Sequence, residues 1–310
     1  MKKQLLIIAA SLSLIAVENS FAKENQTFFK NGETVITKNL VHNFHNGSLM
    51  ESGNNKYKLK DYKGAITDYS KILINNPNNF QALFKRALAK SYLNDHLGAI
   101  KDYTKAIEIN PEYASSFYNR GLSKNKIDDP YGAISDYSKA IAINNRHEKA
   151  YIFRGYAKSD IGDHEGAIKD LTSAIEINPE DSYAYSARGY VKEKAGDYYA
   201  AISDYSKAIK INPEDDYSFA GRAYSKGMIG DNEGAISDYT KAIEINPDEG
   251  YAFFGRGVFN KVAGNFSQAC DDWIKASDMG FEDATEKANV CKNTGNFKES
   301  IKDLLSSQNF

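Results

Sequence analysis

The stretch from Ser182 to Asn212 decides the fold, and it reads SYAYSARGYVKEKAGDYYAAISDYSKAIKIN. Apolar residues recur three and four positions apart in two segments, which is typical of two amphipathic helices. Gly196-Asp197 separates the segments, and the Asp197 carboxylate can accept hydrogen bonds from the free N–H groups that begin the second helix. Pro213 follows the second helix and ends it. The stretch therefore predicts a helical hairpin, in which we call the first helix A and the second helix B.

The hairpin recurs along the chain with a period of 34 residues. Proline follows five of the B helices, at Pro77, Pro111, Pro179, Pro213 and Pro247. Arginine recurs in six A helices, at Arg86, Arg120, Arg154, Arg188, Arg222 and Arg256. One helix pair cannot bury its apolar stripe alone, so neighbouring pairs must stack. The period predicts an all-α repeat protein rather than a chain with one compact core.

The repeated residues resemble the tetratricopeptide repeat, a helix-turn-helix unit of 34 residues. In the numbering of that repeat, position 8 is small in every unit, as at Gly189, and position 24 is aromatic in all but one, as at Tyr205. Small residues let helices approach closely, and the aromatic ring fills the space beside them. The resemblance implies a right-handed α-solenoid of antiparallel helix pairs, with about seven full repeats over residues 46–283.

The first 22 residues are typical of a signal peptide. Lys2 and Lys3 are followed by an apolar run from Leu5 to Val17, and Ser20 and Ala22 are the small residues that a signal peptidase reads. We expect cleavage after Ala22 and export to a bacterial periplasm or to the medium. The alternative is an uncleaved anchor, although the run is shorter than the ~20 residues that a spanning helix needs.

The two ends of the repeat array depart from its pattern. Residues 23–45 lack the period and are expected to form a flexible linker. Near the C-terminus, Gly295-Asn296-Phe297 and the run from Ile301 to Leu304 reproduce the spacing of a B helix three residues early. Residues 284–310 are therefore predicted to form a shortened eighth repeat, with its start at 284 or at 281, that caps the stack.

Composition and motifs exclude several classes of function. The net charge of −2 provides no global positive field for nucleic acid, and no membrane insertion is expected once the signal peptide is removed. The sequence contains no G-x-S-x-G, no G-x-x-x-x-G-K and no H-E-x-x-H motif. The side chains of His42, His45, His96 and His164 are expected to be solvated. We therefore expect no enzymatic activity, no metal site and no cofactor.

A charge pattern accompanies the repeat. Arginine occupies position 7, lysine position 11 and aspartate position 23, as at Arg188, Lys192 and Asp204. Because the pattern recurs in most repeats, we interpret it as an Arg–Asp ladder between A and B helices. The alternative is a basic stripe that binds an acidic ligand, but aspartates equal in number would neutralise it.

The two cysteines fall on neighbouring predicted helices. Cys270 lies in the B helix of the seventh repeat, and Cys291 lies in the A helix that follows. Since adjacent helices of such a stack touch, a disulfide between them is geometrically feasible, and export would favour it. Two free thiols are the alternative, and either arrangement is structural rather than catalytic.

The resemblance also implies that the A helices line a concave groove, with positions 2, 5, 9, 12 and 13 facing a ligand. Carried onto this chain, the groove residues are Phe84, Leu88, Tyr118, Lys149, Tyr156, Tyr183, Tyr190, Tyr217, Tyr224, Tyr251 and Phe254. Tyrosine offers a large contact area with a polar tip, as protein-binding surfaces favour. For position 9, packing of the ring against the adjacent A helix is an equal alternative.

These features predict a non-enzymatic, exported scaffold whose groove binds an extended or helical segment of a partner protein. No repeat carries the lysine at position 5 with the asparagine at position 9 that some members of the family use to grip a terminal carboxylate. An aromatic contact is therefore expected, although a small ligand stacked on the tyrosines would give the same pattern. The alternative is a structural envelope protein that self-assembles through terminal repeats or its convex face, whereas the first hypothesis expects a monomer or weak oligomer.

Overall fold

The structure is a computed structural model that describes residues 29–30, 33–34 and 38–293, with side chains from Gly47 onward. Fifteen α-helices lie within these residues. The chain divides after Asp95 into two compact units, which are described separately. The predicted signal peptide, residues 23–28, 31–32 and 35–37 of the predicted linker, and the B helix of the predicted eighth repeat lie outside the described residues.

The first unit contains a short hairpin and three helices. Strands β1 (Phe29–Lys30) and β2 (Glu33–Thr34) pair antiparallel. Helices α1 (Lys38–Lys58), α2 (Tyr62–Asn75) and α3 (Phe80–Tyr92) then pack consecutively, each on the next.

The start of α1 corrects one predicted boundary. The helix begins at Lys38, so residues 38–45 are helical rather than linker, and the predicted start of the repeats at residue 46 falls inside a helix. The physical reason is visible in the sequence, where Leu40, Val41 and Phe44 stand at helical spacing and no glycine or proline interrupts residues 38–46.

In the part of the chain that the structure describes, the second unit consists of a single B helix, five A–B hairpins and a final single helix. Its helices are α4 (His96–Ile109), α5 (Ala114–Asn125), α6 (Pro130–Ile143), α7 (Glu148–Asp160), α8 (His164–Ile177), α9 (Ser182–Lys194), α10 (Tyr198–Ile211), α11 (Asp216–Met228), α12 (Asn232–Ile245), α13 (Gly250–Val262), α14 (Phe266–Asp278) and α15 (Thr285–Asn293), with a 3-10 turn at Glu282–Ala284. Each helix packs against the next, and the A helices α5, α7, α9, α11 and α13 also contact one another in sequence. The predicted all-α solenoid of antiparallel helix pairs is confirmed.

The hairpins begin and end as the sequence predicts. The side chain of Asp197 accepts a hydrogen bond from the backbone N–H of Ala200 at 3.1 Å, which caps α10. Gly196, in the turn before it, adopts φ of +80°. Asp128 adopts φ of 61° at the same position two repeats earlier, where a side chain strains the backbone. Glycine and the aspartate cap therefore fix the A-to-B turn.

The core of each hairpin is a large ring packed against a small residue. Tyr205 is fully buried, and a Cβ built on Gly189 would lie 3.1 Å from its ring. The seventh repeat uses Trp273 in the same way, since a Cβ on Gly257 would lie 2.6 Å from Trp273 Nε1. Position 8 is therefore small because the ring at position 24 occupies the space of a side chain.

The Arg–Asp ladder is confirmed in the hairpins of the second unit. Asp136, Asp170, Asp204, Asp238 and Asp272 are buried, and each carboxylate pairs with the arginine at position 7 of its own repeat. In four of them the lysine at position 11 also reaches the aspartate, at 2.7–2.9 Å. In the seventh repeat Asn260 takes the place of that lysine and donates to Asp272 at 3.2 Å. These charges are neutralised inside the fold, which disfavours a basic stripe for an acidic ligand.

Candidate functional site: an aromatic cavity on the A helices

The second unit contains a cavity of about 520 Å³ between α9, α11 and α13. The A helices supply most of its wall, and B-helix residues close it from behind. Its lining residues are Tyr190, Glu193, Tyr205, Asp216, Tyr217, Ala220, Gly221, Ala242, Glu249, Tyr251 and Ala252. Ala220 and Gly221 follow Tyr217 by one helical turn, so they share its face of α11. A Cβ on Gly221 would overlap the ring of Tyr205, so the glycine lets that ring reach the cavity.

Glu193 is the acidic group at the back of the cavity. Its Oε2 accepts hydrogen bonds from Tyr205 Oη at 3.0 Å and from Ser225 Oγ at 3.5 Å. Burial raises the pKa of Glu193 to about 7, although both hydrogen bonds and the nearby Lys194 act in the opposite direction. Burial and the negative charge of Glu193 likewise raise the pKa of Tyr205, so its phenol stays protonated and remains a donor.

A row of tyrosine rings runs across three A helices beside the cavity. The ring centres of Tyr183 and Tyr156 are 6.1 Å apart, those of Tyr156 and Tyr190 are 6.3 Å apart, and those of Tyr190 and Tyr217 are 6.4 Å apart. Tyr183 and Tyr217 are each about half exposed, at 49% and 50%. The row therefore combines rings that pack against one another with rings that remain accessible to a ligand.

The lining of the cavity carries negative charge and no positive charge. Glu193, Asp216 and Glu249 contribute carboxyl groups, whereas no lysine or arginine is among the lining residues described. Asp216 Oδ2 accepts a hydrogen bond from Asn246 Nδ2 at 2.8 Å, and Glu249 caps the first turn of α13. The arrangement is an aromatic wall with acidic groups at its back and edges.

Comparison with known families agrees with the hairpin geometry. Sequence models described as tetratricopeptide repeat match residues 182–215, and also residues 148–181 and 218–249. A third model, described as TPR repeat, matches residues 92–126. The chain belongs to the tetratricopeptide repeat family. Comparison with curated proteins gives no match.

Solved structures similar to this tetratricopeptide repeat protein share its fold. The crystal structure of MamA is 28% identical, with a TM-score of 0.52 over 55% of this chain and 93% of MamA. A tetratricopeptide repeat protein from Parabacteroides merdae ATCC 43184 is 20% identical, with a TM-score of 0.66 over 80% of this chain and 99% of its own. YrrB, described as a TPR protein with an unusual peptide-binding site, is 21% identical, with a TM-score of 0.50 over 59% of this chain and 95% of YrrB.

The structure brings together five of the predicted groove residues of this tetratricopeptide repeat protein. Tyr190, Tyr217 and Tyr251 line the cavity. Tyr156 and Tyr183 lie in the adjoining row of rings. Because Tyr190 contacts the rings on both sides of it, position 9 serves packing between A helices and the exposed wall at the same time.

Three other predicted residues in the second unit have local packing roles. The ring centre of Tyr118 lies 4.9 Å from that of His147, and the ring of Phe254 lies 5.2 Å from that of Phe281. Tyr224 contacts Tyr198, with ring centres 6.3 Å apart. None of these three is among the described residues that line the cavity.

The remaining predicted residues lie apart from the cavity lining. Lys149 is exposed near the start of α7. Phe84 and Leu88 are half-buried residues of α3 in the first unit, where the ring of Phe84 stacks on that of Phe80 at 6.2 Å.

Sequence reasoning missed the acidic groups of the cavity. Glu193 occupies position 12, where the other repeats from the second to the seventh carry Ser91, Asn125, Ser159, Gly227 and Lys261. A carboxylate that occurs once at a variable position of the groove face was the available signal. Asp216 and Glu249 stand at the starts of A helices, where acidic residues are common as caps and give no separate signal.

The end of the described chain carries a disulfide between Cys270 and Cys291, with Cα atoms 5.5 Å apart. The bond joins α14 to α15 and lies in a cluster with Trp273, against which Phe254 also packs. Within residues 38–293, whose side chains are described from Gly47 onward, no set of three or more of the described histidine, cysteine or acidic side chains converges as metal ligands would. The helices in the same range include none with the length and apolar character needed to cross a bilayer.

Proposed function

We propose that this tetratricopeptide repeat protein is a non-catalytic scaffold whose A-helix face binds an extended segment of a partner protein. The observation that carries the proposal is the row of tyrosine rings from Tyr183 to Tyr217, which continues into the cavity. The row spans three repeats, so it offers contacts to several successive side chains of a bound segment rather than to one compact ligand. Rigid rings of this kind give large contact areas at a small cost in side-chain entropy.

The proposal includes export of the chain. The basic start, the apolar run and the small residues before the predicted cut at Ala22 support this part of it. Mass spectrometry of the protein from its native cell is expected to find a mature N-terminus at Lys23. A chain that retains Met1 and the apolar run would contradict export by cleavage.

Groove binding is tested by photo-crosslinking from within the row of rings. A photoreactive phenylalanine analogue at Tyr217 is expected to crosslink one segment of one partner in native extracts, and Tyr183→Ala with Tyr217→Ala is expected to abolish capture of that partner. The matched control is Tyr131→Ala with Tyr199→Ala, because these tyrosines are 72% and 73% exposed on the B helices α6 and α10.

Two outcomes would overturn groove binding. Capture that survives the loss of Tyr183 and Tyr217 would place the partner on another surface. Sedimentation showing concentration-dependent oligomers that are indifferent to those substitutions would favour self-assembly instead. Unchanged circular dichroism of both double variants excludes misfolding as the cause of a loss.

A further inference from the structure

We propose that the cavity between α9, α11 and α13 binds a basic side chain, an arginine or a lysine, that anchors the partner segment. This inference rests on the proposed function, because it names the chemistry of the segment that the groove receives. It is carried by the coincidence, in one cavity, of four tyrosine rings with three carboxyl groups.

The tyrosine rings of the cavity can attract a cation. The face of an aromatic ring attracts a cation, most strongly where water is partly excluded. Tyr190, Tyr217 and Tyr251 line the cavity from three successive A helices, so a side chain that enters it meets more than one ring. The chain already places one cation against this wall, since Lys194 Nζ lies 5.3 Å from the centre of the Tyr190 ring.

The carboxyl groups of the cavity can accept hydrogen bonds from the same cation. Both hydrogen bonds described for Glu193 end on Oε2, so its other oxygen keeps the capacity to accept from a guanidinium or ammonium group. Asp216 and Glu249 add negative charge to the lining. Among the described residues, no lysine or arginine forms an ion pair with Glu193, and burial raises its pKa to about 7 despite the nearby charge of Lys194.

The contrast with the buried aspartates supports the same inference. Asp204, on the neighbouring B helix, receives both Arg188 and Lys192. The fold thus satisfies a buried carboxylate with cations where the role is structural. Glu193 instead receives two hydroxyl groups and faces an accessible cavity, which is the arrangement of a carboxylate that takes its cation from a ligand.

The test uses a matched pair of small probes on the full mature chain. N-acetylarginine amide carries the cation, and N-acetylcitrulline amide has nearly the same shape without charge. Tyrosine-selective labelling lets nuclear magnetic resonance follow the rings of Tyr190, Tyr217 and Tyr251 during each titration. We expect the arginine probe to shift these signals and to bind about tenfold more tightly than the citrulline probe.

Two variants distinguish the effect of the Glu193 carboxylate from the effect of net charge. Glu193→Gln keeps an acceptor for Tyr205 and is expected to remove most of the preference for the arginine probe. Glu176→Gln makes the same change in net charge at an exposed position of α8, and the preference is expected to persist. Thermal melting of both variants confirms that they remain folded.

Three outcomes would overturn the inference. These are equal binding of the two probes, absence of ring shifts with either probe, and tighter binding of tetramethylammonium than of the arginine probe, which would indicate a free organic cation. Failure here is distinguishable from failure of the proposed function. A partner that crosslinks at Tyr217 but is captured equally by Glu193→Gln would refute the basic anchor and leave groove binding intact.

Discussion

The guanidinium of Arg188 meets the carboxylate of Asp204 at two points, Nε to Oδ2 at 2.8 Å and Nη2 to Oδ1 at 2.8 Å. The remaining nitrogen, Nη1, donates to Thr172 Oγ1 at 3.0 Å on the B helix of the preceding repeat. The ring of Tyr185 covers the guanidinium with its centre 5.8 Å from Cζ. One side chain therefore joins the B helices of two consecutive repeats through the A helix between them.

Removal of this arginine is expected to destabilise the repeat array strongly. Arg188→Ala leaves the buried Asp204 with Lys192 alone and removes the bond to Thr172 Oγ1, which keeps its own bond to the carbonyl of Ile168. The free energy of unfolding should therefore fall by about 3 kcal/mol. The measurement is equilibrium unfolding in guanidinium chloride. Lys169→Ala removes an exposed cation of α8 and is expected to change stability by less than about 0.5 kcal/mol. Equal stabilities of Arg188→Ala and the wild type would show that the ladder contributes nothing.

The ladder also shows which parts of the structure the sequence could reveal. A contact that most hairpins make leaves its residues in most repeats, so the pairing of position 7 with position 23 was predictable. The role of Thr172 was not predicted, although hydroxyl residues recur at its position, because the contact depends on how two repeats stack. A glutamate at position 12 occurs in one repeat, at Glu193, so no periodic pattern in the sequence marks it. Its place in a cavity is evident only from the packing of α9, α10 and α11 in the structure.

The stability of the fold should depend on pH through Glu193. Burial raises the pKa of Glu193 to about 7, from an ordinary value of 4.5. The folded state therefore binds the Glu193 proton more tightly than the unfolded state does. The contribution of this proton to the stability of the fold is complete below pH 4.5 and is lost as the pH rises through 7. Above pH 7 the buried carboxylate is charged, so Glu193→Gln should raise the melting temperature at pH 8 by about 2–4 °C.

The control is the pH dependence of the difference in melting temperature between Glu193→Gln and the wild type. The melting temperatures of the wild type and of Glu193→Gln should converge as the pH falls toward 4.5, because the wild-type side chain is then neutral as well. Glu176→Gln, on an exposed side chain, should show no comparable convergence. A constant offset between wild type and Glu193→Gln at every pH would mean that Glu193 titrates alike in the folded and unfolded states.

The disulfide between Cys270 and Cys291 is expected to hold α15 against α14. Thiol titration of the unfolded, unreduced protein should find no free thiol, and the reduced protein should show two. Replacing both cysteines by serine should cost about 2–3 kcal/mol, since the bond closes a loop of 21 residues in the unfolded chain. Hydrogen exchange should become faster in α15 while α9 to α12 keep their protection. Two free thiols in the unreduced protein would contradict the bond and weaken the case for export.

Gly227 and Phe259 form a compensating pair between consecutive A helices. From the second to the seventh repeat, Gly227 is the only glycine at position 12, and Phe259 is the only aromatic residue at position 10. A Cβ on Gly227 would overlap the ring of Phe259, which is 7% exposed and stacks on Tyr239 with ring centres 6.1 Å apart. The ring in one repeat therefore requires the absence of a side chain in the repeat before it.

The effect of Gly227→Ala should change sign with the residue at position 259. In the wild type the added methyl group meets the ring, and overpacking of about 1–3 kcal/mol should exceed the gain in helix propensity of about 1 kcal/mol. The Phe259→Ala variant should itself be less stable by about 3 kcal/mol. In that variant the added methyl group enters the space that the ring has vacated, so Gly227→Ala should stabilise the fold. A double-mutant cycle of unfolding free energies measures the coupling between the two positions. Gly47→Ala, in open space on α1, should stabilise in either background. Equal effects of Gly227→Ala in both backgrounds would show that the two residues do not share the space between α11 and α13.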